Sequence, residues 1–367
     1  MRGIKSIGGV ITLACMVPAM LAAAPAAAFD DAALARQAYA GIILPGYARF
    51  DAAARDFAEK SAALCKAPSQ AGLDATRGAA RATLLAWGRI APVRFGPITY
   101  KQRLDRLLFY PDQHGIVGKQ TNKLIAKRDD ANLDPAKLEG ASVAVQGFGA
   151  VDVALYGRGA EALATADPEA SFRCRYVHAL AADIAQIAAD THADWSGEYR
   201  QAWLRPGEGN KAYLTAKETT LALFSAYVTE IEVVRLQRLA PAMGAESAKA
   251  SSPLLPHSGL GLSYLISVVE GVRDLVGDSG FLADDLATTD KERAALAIVG
   301  SVATDLGFAV RAGEAAAAMA PDALQDTAAR ERLAPMLLSL KNAELIGRAA
   351  LGDLTGQSIG FNSLDGD

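Results

Sequence analysis

Apolar residues recur every three or four positions along most of this chain, which is the spacing of one face of an α-helix. The four clearest stripes consist of Tyr47, Phe50, Ala54, Phe57, Ser61 and Leu64; of Leu73, Arg77, Ala80, Leu84, Trp87 and Ala91; of Tyr176, Leu180, Ile184, Ile187, Thr191 and Trp195; and of Leu221, Phe224, Val228 and Ile231. Alternating β-branched runs bounded by turns are absent from the sequence, so no substantial sheet is expected. Abundant alanine favours helices that pack closely. The pattern predicts an all-α protein.

Proline and glycine mark the joints between the predicted helices. These joints lie at Pro45-Gly46, Pro92, Gly96-Pro97, Pro206–Gly209 and Ala250–Pro256. The strongest of them, Pro206–Gly209, precedes a helix that we predict over residues 211–243. We therefore expect two domains, residues 29–206 and residues 207–367, because the chain is long enough for two domains of ordinary size.

The N-terminus has the pattern of a secretory signal peptide. Arg2 and Lys5 give it a basic start, residues 7–20 are apolar, and Ala26-Ala27-Ala28 supplies the small residues that signal peptidase requires. Residues 1–28 are therefore predicted to be a signal peptide, and the mature chain is predicted to be exported.

Two alternatives to this processing stay open. The segment could remain as an uncleaved membrane anchor, or Cys15 could be the attachment site of a lipoprotein. Thr12 stands where a lipobox prefers Leu, and apolar residues follow Cys15 where a lipoprotein normally turns polar. Ordinary cleavage is therefore preferred over lipidation.

The charge distribution disfavours nucleic acid as a partner. The chain has 37 Lys and Arg against 41 Asp and Glu, with a formal net charge of -4. The two signs are interspersed, and no block of Lys or Arg stands out. After residue 28 no apolar run is long enough to cross a bilayer, so no membrane span is expected after signal cleavage.

Two cysteines remain after cleavage, Cys65 and Cys174. An even pair in an oxidising compartment is typical of a single disulfide. The alternative is two buried thiols that act as small hydrophobic side chains. We expect the disulfide.

The segment Gln146–Gly157 reads Gln-Gly-Phe-Gly-Ala-Val-Asp-Val-Ala-Leu-Tyr-Gly. It resembles the signature of the imelysin-like family, which carries Gly-x-His-x-x-Glu followed by an apolar run ending in Tyr/Trp-Gly. Gly149 stands here at the His position and Asp152 at the Glu position. The frame of the signature is kept, and its two polar positions differ.

Other segments resemble the same family, in the same order along the mature chain. They are Leu44–Tyr47, Leu64-Cys65, Trp87, Arg94–Ile98, Tyr110–Asp112, Phe172–Cys174, Leu236–Pro241 and Gly360–Asp367. The resemblance implies an all-helical fold of two four-helix-bundle-like halves, with a functional cleft between them. It also implies a periplasmic location in a bacterial cell envelope. Some family members are iron-regulated or accompany iron uptake, and the founding members were described as metallopeptidases.

Residues three apart on a helix lie on the same face, so a His and a Glu at this spacing can reach one metal ion. Gly149 has no side chain to donate, and Asp152 alone does not make a tight Zn²⁺ site, which takes three or four protein ligands. The other zinc peptidase pattern, His-Glu-x-x-His, is absent from the sequence. The cofactor is unknown from the sequence, with a divalent metal or iron as the candidates.

The candidate ligand-binding residues are Gly147, Gly149, Asp152, Arg94 and His257. The two glycines either permit close helix packing or leave space for a ligand or a partner backbone. Arg94 is the candidate ion-pair partner of Asp152, because a buried carboxylate without one would be costly. The alternative for Arg94 is a solvated surface residue. His257 lies in a loop that opens a helix of the second half. It is either an ordinary loop residue or, if the two halves face each other, a residue that reaches the cleft. Asp152 is the one candidate metal ligand.

Three functions remain open at this point. The first is a non-catalytic periplasmic protein that serves iron acquisition by metal binding or by contact with an envelope or iron-uptake partner. The second is a metallopeptidase that assembles its site differently, from Asp152 with His257 or other distant groups. The third is an interaction scaffold of the cell envelope. The altered pair Gly149 and Asp152 favours the first.

Overall fold

The structure is a computed structural model, and it describes residues 29–112, 114–244, 253–283, 286–320 and 322–356. The predicted signal peptide, with Cys15, lies outside the described residues. So does the C-terminal segment Gly360–Asp367, which contributed to the family resemblance.

The described chain is helical throughout. Its α-helices are α1 Asp31–Ala38, α2 Leu44–Lys66, α3 Gln70–Ile90, α4 Arg103–Leu107, α5 Ile116–Lys127, α6 Pro135–Glu139, α7 Gly147–Val151, α8 Pro168–Ser196, α9 Glu198–Leu204, α10 Ala216–Glu232, α11 Ala240–Met243, α12 Gly261–Val276, α13 Asp290–Ala317, α14 Thr327–Glu331 and α15 Ala334–Thr355. The π-helical segments are Tyr39–Ile43, Asp152–Tyr156 and Val233–Leu239, and the 3₁₀ segments are Gly96–Gln102, Asp130–Leu133, Val143–Val145 and Ala160–Ala164. No strand occurs in the described ranges, so the all-α prediction is confirmed.

The first bundle is built on α2, α3 and α8, with α2 packed between the other two. The apolar stripes predicted for these helices face its core. Every member of the α2 and α8 stripes is buried, and in the α3 stripe only Arg77 lies half-buried at the edge. Cys65 at the end of α2 and Cys174 on α8 form a disulfide, with Cα atoms 5.5 Å apart.

The second bundle is built on α10, α12, α13 and α15, and α13 packs along both α12 and α15. The bundles are in contact, because α12 also packs on α3 and α10 packs on α1. One continuous cluster of buried apolar side chains runs through both bundles. The domain boundary near residue 206 stays a prediction.

Two predicted joints differ from the structure. Pro45 and Gly46 do not interrupt the chain, because they lie in the first turn of α2, directly after the π-helical segment Tyr39–Ile43. Proline is tolerated in a first turn, where its missing N–H would have no helical acceptor. The helix predicted over residues 211–243 begins later, at Ala216, after a series of bends.

Helix α13 departs from the expectation that no later segment could cross a membrane. By length and composition alone, Asp290–Ala317 is sufficiently long and apolar to do so. In the fold α13 packs against α12 and α15, with Val299, Val302 and Leu306 fully buried. The core helix of a bundle has this same composition, because one face must be apolar to pack.

Candidate functional site at the Gly147–Gly157 segment

Gly147 begins the signature segment in a backbone conformation that favours glycine. Its φ is +61°, and a Cβ atom there would overlap the carbonyl oxygens of Arg106 and Leu107. Side chains other than hydrogen are strained in this region of φ and would also collide with α4. Of the two roles proposed for this glycine, the geometry matches close packing.

Gly149 lies two residues further on, in α7, and faces α5. A Cβ atom at this position would lie 3.1 Å from Cγ1 of Val117, which is tighter than an ordinary contact. Val117 therefore occupies the space into which a side chain at position 149 would extend. The sequence does not single out Val117, because an apolar residue in the first turn of a helix carries no signal for which other helix it will contact.

Asp152 opens the π-helical segment Asp152–Tyr156 and is only 3% exposed. Its Oδ2 accepts a hydrogen bond from the backbone N–H of His257 at 3.0 Å, and its Oδ1 accepts one from the backbone N–H of Ser258 at 2.8 Å. Burial raises the pKa of Asp152 above its ordinary value, and the hydrogen bonds from Ser258 and His257 offset part of that rise. The carboxylate thus ties the loop before α12 to the first half of the chain.

The expected ion pair between Arg94 and Asp152 is wrong. Arg94 instead donates from Nη1 to Glu230 Oε2 at 2.7 Å, and Arg238 Nη1 lies 3.6 Å from the other oxygen of Glu230. The buried Asp152 carboxylate needs no cation beside it, because two backbone N–H groups already donate hydrogen bonds to its oxygens. Arg94 belongs to a buried cluster beside the site that also includes Tyr264, which accepts from Arg238 at 3.4 Å.

A cavity of about 250 Å³ lies beside the segment, and Gly149, Asp152 and His257 all line it. We call it the Asp152 cavity. Its other walls are mainly apolar and come from α5, from residues 108–110 and from the loop 253–257. The structure therefore brings together three of the five predicted site residues at one place, leaving Gly147 in the packing beneath and Arg94 in its separate cluster.

Asp112 is a second carboxylate in the wall of this cavity, and it is not among the site residues predicted from the sequence. Its Oδ1 accepts from Ile116 N at 2.7 Å and its Oδ2 from Val117 N at 2.9 Å, so it caps the start of α5. An Asp four residues before a helical stripe is the signal by which this cap could have been found.

The residues of the Asp152 cavity do not fit a metal ion of the family type. In Asp152 and in Asp112, both carboxylate oxygens accept hydrogen bonds from backbone N–H groups, and position 149 has no side chain. Within the described part of the chain, no group of three or more His, Cys, Asp and Glu side chains is placed to hold a metal. His178 and His192 lie elsewhere, between α8 and α2, where their Nδ1 atoms are 3.1 Å from Ser61 Oγ and 3.3 Å from Asp51 Oδ2.

The far end of the signature is fixed by Tyr156 and Arg77. The Tyr156 hydroxyl donates to the carbonyl oxygen of Arg77 at 3.0 Å, and the Arg77 guanidinium lies 5.3 Å from the centre of the Tyr156 ring. Burial raises the pKa of Tyr156 to about 12. The hydroxyl therefore stays protonated at neutral pH and serves as a structural donor.

The chain is therefore an all-α protein of two joined helical bundles. A short glycine-containing helix and a π-helical turn lie beside the cavity at the contact between the bundles. The family model for imelysin (Peptidase M75) matches residues 43–343 of this chain. The chain belongs to the imelysin family.

Solved structures have the same fold. An imelysin-like protein from Psychrobacter arcticum 273-4 matches with a TM-score of 0.70 and 19% sequence identity, over 91% of this chain and 100% of that chain. A protein described as an iron-regulated protein A precursor from Parabacteroides distasonis ATCC 8503 matches with a TM-score of 0.66 and 13% identity, over 89% of this chain and 94% of that chain. Comparison with curated proteins finds no match.

Proposed function

We propose that this chain is a non-catalytic imelysin-family protein of the periplasm, which serves iron acquisition by contact with a ligand or an envelope partner. The observation that carries the non-catalytic part is the state of Asp152. Both of its oxygens accept backbone hydrogen bonds, and the neighbouring ligand position is a glycine backed by Val117. A tight Zn²⁺ site takes three or four side-chain ligands, and here both Asp152 oxygens already accept backbone hydrogen bonds while position 149 offers no side chain.

The Asp152 cavity supports binding of an apolar group in place of a metal ion. Leu108, Phe109, Val153, Leu254 and Leu255 contribute its apolar walls. Small cavities with such walls and a few polar atoms are suited to an apolar side chain or a small molecule. The partner would be held by burial of apolar surface, with the polar atoms at the rim setting its orientation.

Export and the link to iron are supported by resemblance. Residues 1–28 carry the pattern of a signal peptide. The structural relative from Parabacteroides distasonis is described as iron-regulated and as a precursor. A role in iron acquisition by this chain follows from these two observations as a proposal, since fold alone does not define function.

Metal analysis of the mature, untagged protein tests the proposal. We expect no stoichiometric Zn²⁺ or Fe after incubation with either metal and removal of excess, and no chelator-sensitive cleavage of peptides. We also expect expression to rise under iron limitation. Stoichiometric Zn²⁺ with chelator-sensitive cleavage would contradict the non-catalytic role, and iron-independent expression would contradict the link to iron.

His257 gives a second candidate function some support. Its side chain is exposed and lines the same cavity as Asp152. A metallopeptidase that recruits His257 would have to release the Asp152 carboxylate from the loop amides before it could bind a metal. His257→Ala separates the candidates, because it abolishes metal-dependent cleavage in a peptidase and leaves apolar binding in the cavity nearly unchanged.

A further inference from the structure

A larger pocket, of about 610 Å³, lies on the second bundle and shares no lining residue with the Asp152 cavity. Its walls come from the π-helical segment Tyr39–Ile43, the end of α12 with the turn that follows, and the middle of α13. Arg273 of α12 and Arg311 of α13 line it together. We call it the two-arginine pocket.

The two guanidinium groups converge over Gly307. A Cβ atom at Gly307 would lie 3.5 Å from Nη1 of Arg311 and 3.7 Å from Nη1 of Arg273. Both cations therefore approach the same point on α13, where Gly307 has no side chain to fill the space. Two like charges this close repel each other unless an anion lies between or beside them.

Neither arginine has an anionic partner within the described part of the chain. The Arg311 guanidinium lies over the ring of Phe308, 4.5 Å from the ring centre, and neither arginine side chain forms an ion pair or hydrogen bond with the described residues. Arg273 is half-buried and Arg311 is exposed, and most of the other half-buried or buried arginines in the described residues are paired. They include Arg89, Arg94, Arg103, Arg106, Arg235 and Arg348, each within 4.0 Å of a carboxylate.

The carboxylates of the pocket do not neutralise these cations. Asp274 gives both oxygens to Arg89, which lies 2.6 Å from Oδ2 and 2.9 Å from Oδ1. Asp278 lies exposed in the wall of the pocket and forms no ion pair with either arginine. Thr304 also lines the pocket, and its hydroxyl donates a hydrogen bond to Gly300 O at 3.1 Å.

We propose that the two-arginine pocket binds a small oxyanion, a phosphate or carboxylate group, between Arg273 and Arg311. The planar fork of a guanidinium matches such groups with two parallel N–H donors, and two forks at one point favour a multiply charged anion over chloride. The pocket is wide enough for the group to belong to a larger polar molecule. This inference is independent of the function proposed for the Asp152 cavity.

Calorimetric titration of the mature protein with inorganic phosphate and with citrate, at constant ionic strength set by chloride, tests the inference. We expect saturable binding of one anion per chain, and the stronger of the two ligands distinguishes a phosphate site from a carboxylate site. Arg273→Gln and Arg311→Gln should each weaken binding about tenfold or more, and Asp278→Asn should strengthen it, because it removes the nearby negative charge.

Arg332→Gln is the matched control. Arg332 is an exposed arginine of the same half and does not line the pocket, so its loss changes net charge equally and should leave the affinity unaltered. Circular dichroism of each variant checks the fold. Absence of saturable binding by the wild type, or equal weakening in Arg332→Gln, would overturn the inference.

Discussion

The Asp152 cavity and the two-arginine pocket use charge in opposite ways. In the first, Asp152 and Asp112 are buried, and each carboxylate accepts two backbone hydrogen bonds at 2.7–3.0 Å. In the second, Arg273 and Arg311 lie beside each other without a carboxylate partner in the described residues. The first pair of charges holds the fold together, and the second pair is available to a ligand. A charged side chain in a surface depression therefore indicates ligand binding only when the protein itself provides no hydrogen-bonding or oppositely charged partner for it.

The largest expected effect is that of Gly147→Ala, which attacks the packing beneath the Asp152 cavity. The Cβ atom would overlap two carbonyl oxygens of α4, at a φ of +61°. We expect the free energy of unfolding to fall by about 3 kcal/mol or more, from strain in φ and from overpacking. Urea denaturation followed by circular dichroism measures it.

Gly118→Ala is the control for this substitution. Gly118 lies inside α5 and has no heavy atom within 4 Å of an added Cβ. Alanine there should stabilise the protein by about 0.5–1 kcal/mol through helix propensity. Equal stabilities of the two variants would contradict a packing role for Gly147.

The next largest effect is expected for Asp152→Ala. The change leaves the amides of His257 and Ser258 without their acceptor in a partly buried place, so we expect a loss of about 2–4 kcal/mol in unfolding free energy. Hydrogen exchange at these two amides should also accelerate, because the loop before α12 loses its hydrogen bonds to the π-helical segment Asp152–Tyr156.

Asp134→Ala removes a carboxylate of similar local role from an exposed place. Asp134 accepts from Ala136 N and Lys137 N at the start of α6. Water can replace it there, so a loss of about 1 kcal/mol is expected. If Asp152→Ala cost no more than Asp134→Ala, Asp152 would not be a buried anchor.

The two regions also show which parts of the molecule a sequence predicts. The stripes of α2, α3 and α8 are predictable, because helix periodicity reflects burial directly, residue by residue. The spacing of Gly149 and Asp152 predicts that they share a helix face, and the structure adds His257 to the same cavity. The partner of Asp152 was not predictable, because it consists of backbone amides, which every residue carries. Many carboxylates in the sequence are candidate partners of Arg94, and nothing in the sequence indicates that Glu230 is the one it pairs with.

The two-arginine pocket has no sequence signature at all. Gly307 and Arg311 are four apart on α13 and therefore share a face. Arg273 reaches that face only because α12 packs beside α13. Convergence of this kind depends on the packing of helices, and charge spacing along the chain does not reveal it.

A smaller effect is expected when the family ligands are introduced into the Asp152 cavity. Gly149→His with Asp152→Glu places an imidazole against Val117, so the double variant should lose about 1–3 kcal/mol through overpacking. Adding Val117→Ala makes room and should recover part of that loss. Titration of the triple variant with Zn²⁺ then measures whether the Asp152 cavity can bind the metal through the family ligands.

The comparison among these variants separates two causes of the missing metal site. Metal affinity in the triple variant and not in the double variant would mean that Val117 alone blocks the position. Absence of affinity in a folded triple variant would mean that the pocket has diverged more widely. Restored affinity in the double variant, without loss of stability, would contradict the blocking role of Val117.

The smallest effect on stability is expected in the two-arginine pocket. Arg273→Gln and Arg311→Gln break no ion pair in the described structure, and each relieves repulsion from the other cation. Without added anion we therefore expect changes in unfolding free energy within about 0.5 kcal/mol, as for ordinary surface substitutions. In phosphate or citrate the wild type should gain stability over both variants, because an anion that binds only the folded chain stabilises it by mass action. A large loss without anion would instead assign these arginines to the fold, as Asp152 is assigned, and the contrast between the two regions would disappear.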